Sequence, residues 1–101
     1  MKHFEIILLD DAIIDLQNGI DYYKTISPTV VEKFLMAVKN TFAELKRNPF
    51  YQVRYDNVRM RTVKRFPYVL HFAVNDHQNT IIIYGVRHSA QNPDTSYFFN
   101  K

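Results

Sequence analysis

The 101-residue sequence contains no cysteine and no tryptophan, only two glycines and four prolines, and no long apolar run. Without cysteine there is no disulfide framework and no thiolate metal site, so stability has to come from packing. The first apolar stretch, Ile6-Ile7-Leu8-Leu9, is too short for a signal-peptide core or a membrane span, which leads us to expect a cytoplasmic protein without a membrane partner. Four histidines, His3, His71, His77 and His88, lack the close pairing that places two ligands on one helix face, so no metal or other cofactor is expected. At this length one domain over 1–101 is expected, with no room for a second core.

What the chain does have is aromatic weight and unevenly placed charge. Seven Tyr and eight Phe exceed what so small a core readily hides, and some are expected to face a partner. The net charge of +3 conceals two halves of opposite sign: residues 1–45 carry four Lys/Arg against seven Asp/Glu, and residues 46–101 carry nine against three. Within 46–65, seven cations, Lys46, Arg47, Arg54, Arg59, Arg61, Lys64 and Arg65, face Asp56 alone. A segment this basic attracts polyanions or an acidic protein surface.

Periodicity supplies the element order. Phe4–Leu9 fits a short strand, after which Asp10 or Asp11 is placed to cap a helix. Ile13, Leu16, Ile20 and Tyr23 step by three and four residues along that helix, and Gly19 interrupts it at a cost of about 1 kcal/mol relative to Ala. Ser27-Pro28-Thr29 ends one helix and opens the next, with Pro28 in the first turn and Thr29 to Glu32 spaced as a capping box. Val31, Leu35, Val38, Phe42 and Leu45 form the second seam, and Asn48-Pro49 stops it. From there the period becomes two: strands are expected around Tyr51–Tyr55, Val58–Arg65, Tyr68–Val74 and Thr80–Val86, with residues 75–79 as a hairpin loop. The expected fold class is α+β, β-α-α-β-β-β(β), with an antiparallel helical hairpin on one face of a small, mostly antiparallel sheet.

Two groups of residues could carry chemistry. Alternation puts Arg59, Arg61, Val63 and Arg65 on one strand face, so that three guanidinium groups project together as a phosphate- or acid-reading stripe rather than an ordinary solvated face. Arg54 and Lys64 extend the same basic surface. Arg87-His88 ends the last strand, where an imidazole could move a proton and a guanidinium could stabilise a phosphate; the plainer alternative is a loop-bonded histidine beside a surface ion pair. Tyr97-Phe98-Phe99 either pins the tail to the sheet or offers a stacking surface.

Taken in order, Ala12, Asp15-Leu16, Tyr22-Tyr23, Ser27-Pro28, Phe34, Leu45, Pro49, Val58-Arg59, Phe66-Pro67-Tyr68, Leu70, Phe72, Val86, His88 and Asn92-Pro93 resemble the RelE/ParE toxin superfamily of bacterial type II toxin–antitoxin systems, most nearly its ParE-like branch. The resemblance implies the same element order. It also implies one of two activities. RelE-like members cut mRNA in the ribosomal A site without a metal, whereas ParE-like members inhibit DNA gyrase. Carried over, Arg59 and Arg61 match the basic central-strand positions, Arg87 with His88 the basic end of the last strand, and Tyr97 the terminal aromatic. Val69 stands where the nuclease pattern has an arginine, and the stripe holds no carboxylate to serve as a base. The resemblance thus points to a gyrase inhibitor, the alternatives being a ribosome-dependent endoribonuclease and an inactive or non-toxin basic binding module. In either toxin reading a cognate antitoxin is the implied partner, in a toxin–antitoxin hetero-oligomer, its disordered segment folding over exposed apolar surface.

Overall fold

The computed structural model describes residues 3–89. The order is β1 (Glu5–Leu8), α1 (Asp10–Lys24), α2 (Pro28–Arg47), β2 (Val53–Tyr55), β3 (Val58–Thr62), β4 (Tyr68–Asn75) and β5 (Thr80–His88). The five strands form one sheet ordered β1-β5-β4-β3-β2, antiparallel except where β1 runs parallel to β5. The expected α+β class, helical hairpin on a mostly antiparallel sheet, is what the chain adopts. Neither helix of the described residues is long and apolar enough to cross a membrane.

Several local expectations change. The cap of α1 is Leu9, with no side-chain hydrogen bond, and Asp10 and Asp11 sit inside the first turn. There their charges favour the positive end of the helix dipole instead of capping it. The cap of α2 is Ser27, whose Oγ accepts from the Val30 N–H at 3.1 Å with Pro28 following, so the box expected from Thr29 to Glu32 gives way to a cap set two residues earlier. The strand expected to run to Arg65 ends at Thr62, because Arg65 takes a left-handed φ of 72° and Pro67 has no N–H for a ladder. The turn is closed by Val63 N–H donating to Tyr68 O at 2.8 Å.

Helix phase differs as well. Ala12, Gly19 and Tyr23 of α1, and Phe34, Val38, Thr41 and Leu45 of α2, are buried, while Ile13 and Leu35 are 51% and 43% exposed. The cause is Gly19. A Cβ there would lie 2.8 Å from Phe34 Cζ, so the missing side chain admits the Phe34 ring and turns both seams toward that contact. The ring joins Tyr23, Phe66 and Tyr68 in a cluster of edge-to-face and tilted pairs with centroids 5.1 to 6.2 Å apart. Much of the aromatic surplus is therefore core, although Tyr22 and Phe50 remain half exposed. Burial, with Tyr23 adjacent, pushes the Tyr68 hydroxyl up to about 12, so it stays protonated.

Residues paired across neighbouring strands share a face. Leu70, Phe72, Ile81 and Ile83, all fully buried, mark the face beneath the helices. Between His71/Phe72 on β4 and Gly85/Ile83 on β5 the register shifts by one residue, which leaves Tyr84 as the extra member of a bulge. The shift returns Val86 and His88 to the helix-covered face, opposite Leu70 and Tyr68, and sends Arg87 to the other face, opposite Val69.

Candidate functional site

The basic strand residues do share a face, as alternation requires, but it is the margin of the helix-covered one. Arg59 pairs with Phe72 and Arg61 with Leu70. Arg59 lays its guanidinium over the Phe50 ring at 5.3 Å, and its buried Nε makes no hydrogen bond. Arg61 lies over Tyr51 at 5.1 Å and donates from Nη2 and Nε to Glu44 Oε1 at 3.0 and 3.4 Å. The stripe that looked free of acids thus receives one from α2. Val63, expected beside the arginines, is in the core.

Arg65 and Lys64 occupy the turn between β3 and β4, both exposed and neither in an ion pair among the described residues. They form one wall of a groove of about 870 Å³ whose other wall is α2, from Lys33 and Met36 to Glu44 and Arg47. A shallower continuation follows Arg61 to Pro67. Arg54, on β2, is exposed and does not line either cavity.

The end of β5 is arranged differently. Beyond Leu8, β1 no longer covers the edge of β5, and α1 takes its place: Leu9 N–H donates to Ile83 O at 3.1 Å, and Asp15 Oδ2 accepts the Val86 N–H at 2.9 Å. The same oxygen lies 3.7 Å from Arg87 Nε. Gly85 gives this arrangement room, since a Cβ there would lie 2.9 Å from Arg87 Nε and 3.1 Å from Asp15 Oδ2. His88 points to the opposite face and meets Tyr68 edge-on at 4.9 Å. Arg87 and His88, adjacent in sequence, are not brought together as an acid–base pair. Tyr97 lies outside the described residues.

Sequence reasoning missed Glu44, Asp15 and Lys33 as members of these clusters, because each arrives from a helix. It also passed over His71, which is buried on the sheet face away from the helices and shares a 3.2 Å hydrogen bond with the Tyr55 hydroxyl through Nδ1. Burial, with the charge of Arg87 adding to it, lowers His71 to about 4, so the ring is neutral at pH 7.

The sequence model of the family described as the ParE toxin of the type II toxin–antitoxin system parDE matches residues 6–93. The chain belongs to this family. Among solved structures, this ParE-type toxin is similar to the chromosomal ParDE toxin–antitoxin system from P. aeruginosa, with 20% identity and a TM-score of 0.72 over 85% of this chain and 96% of that one. It is also similar to the toxin–antitoxin complex RelBE2 from Mycobacterium tuberculosis, with 19% identity and a TM-score of 0.58 over 85% of this chain and 98% of that one. At these identities the two structures show a shared fold. No curated protein sequence matches the chain.

Proposed function

We propose that this ParE-type toxin arrests growth by binding DNA gyrase and is held inactive by a cognate antitoxin. The observation that carries the reading is the separation of the groups a nuclease would need to converge. Arg87 is engaged by Asp15 on one face, His88 packs against Tyr68 on the other, and Arg61 is tied to Glu44. Acid–base chemistry requires a proton donor or acceptor within hydrogen-bond reach of the group that stabilises the developing charge. What the toxin presents outward instead suits protein contact: the cations of the β3–β4 turn, and a helical hairpin on which Ile13, Ile14, Tyr22, Ile26 and Met36 are each more than half exposed. Apolar surface on that scale would repay the ordering of an antitoxin segment. The two solved structures named above, described as a ParDE toxin–antitoxin system and a RelBE2 toxin–antitoxin complex, support the same pairing.

The test is induced expression of this chain alone, following plasmid topology and mRNA 5′ ends together. A gyrase inhibitor relaxes plasmids and leaves transcripts intact, and the purified chain inhibits supercoiling. New 5′ ends with unchanged topology would replace this reading with the ribonuclease one, and normal growth with neither change would remove both.

A further inference from the structure

The groove between α2 and the β3–β4 turn combines an apolar floor with a cationic rim. Met36 and Ala37 contribute the floor from α2, and Phe66 closes it from the turn. Lys33, Arg47, Lys64 and Arg65 stand around it, with no ion pair to any of the four among the described residues. The one carboxylate within, Glu44, is already bonded to Arg61. Positive charge there is therefore unmatched.

We propose that this groove docks an acidic peptide segment of a protein partner, its carboxylates meeting Lys64 and Arg65 and an apolar side chain seated between Met36 and Phe66. The proposal rests on the reading above that the toxin works through protein partners. Three observations support it. Charge complementarity calls for an anion, since four cations face a carboxylate that is already engaged. Arg65 holds a left-handed φ of 72°, a backbone conformation glycine takes more readily, and with it the guanidinium stands at the groove wall. The chemistry also favours peptide over nucleic acid. Phe66, packed against Tyr23 at 5.3 Å and Phe34 at 5.4 Å, is the one ring in the groove lining, so the groove offers a seat for a single apolar side chain rather than the run of aromatics on which successive bases stack.

The experiment measures fluorescence anisotropy of a short labelled peptide of alternating Glu and Leu on the full chain at low salt, beside a labelled oligothymidylate of equal charge. The peptide is expected to bind more tightly than the oligonucleotide. Lys64→Ala and Arg65→Gly should each weaken it by roughly three- to tenfold. Glu44→Gln, which releases Arg61, should strengthen it by about the same factor, and Arg54→Ala should leave it unchanged. Because glycine suits the backbone at position 65, thermal melting of Arg65→Gly verifies that the fold is intact. Tighter binding of oligothymidylate, no peptide binding, or peptide binding indifferent to Lys64 and Arg65 would each overturn the proposal. The assay involves neither gyrase nor growth. Peptide binding without inhibition of supercoiling would keep the groove and remove the gyrase target, while the reverse result would remove the groove alone.

Discussion

The two basic regions of the molecule, the end of β5 and the turn after β3, contain the same kind of residue in opposite circumstances. Arg87 is part of the scaffold: its partner Asp15 also satisfies the backbone of the sheet edge, and a glycine makes space for both. Lys64 and Arg65 are bound to nothing among the described residues and stand in the wall of a groove. Arg61, about as exposed as Arg87, is held more closely still, by Glu44 at 3.0 Å against 3.7 Å for Asp15 and Arg87, and lies over an aromatic ring. Density of positive charge along a sequence therefore says little about which cations are available. Availability depends on which helix arrives with a carboxylate.

The largest effect that would sharpen this contrast comes from pH at the β5 side. His71 titrates near 6.5 when unfolded and at about 4 when folded, so the folded state binds fewer protons in between. Stability should be full above pH 6.5 and fall by about 3 kcal/mol as pH drops through that window to 4. Urea unfolding across the range checks this, and Arg87→Met, which removes a positive neighbour, should shrink the loss by raising the folded-state value. Next, Asp15→Ala should cost about 2 kcal/mol, since it leaves the buried Val86 N–H without its acceptor and removes the ion pair to Arg87. If it costs no more than a surface substitution, Arg87 is as free as Arg65 and the contrast fails.

Smaller effects are expected on the turn side. Glu44→Gln should cost about 0.5 kcal/mol, in keeping with a pair nearly two-fifths exposed on both partners. Arg65→Gly should change stability by no more than about 0.5 kcal/mol, because relief of the left-handed backbone offsets the greater freedom of glycine in the unfolded chain. A large loss in denaturant titration would mean that Arg65 is structural after all.

The sequence made the punctuation legible. Pro28 and Pro49 mark helix boundaries because a missing N–H and a fixed φ act locally, and the loop between β4 and β5 falls where Asn75 and Asn79 predict it. Helix phase was less legible. Ile13 and Leu35 fit the period yet face outward, because the contact between the helices is decided by a ring entering the space above Gly19, a matter of two residues meeting across the hairpin. The arginine face was read correctly as shared, but alternation cannot say whether a shared face is open or covered. The Arg87-His88 pairing was lost to alternation itself, the bulge at Tyr84 deciding only which of the two faces the helices.

The helix laid along the upper edge of β5 also bears on how this toxin avoids itself. An unpaired strand edge invites a strand from a second copy, the usual first step of aggregation. Above Leu8 that edge is occupied by Leu9 and by the Asp15 carboxylate, which take up Ile83 O and the Val86 N–H. Asp15→Ala should therefore do more than lower the melting point: it would reopen a stretch of apolar β5 to like chains, and sedimentation should show oligomers before unfolding begins.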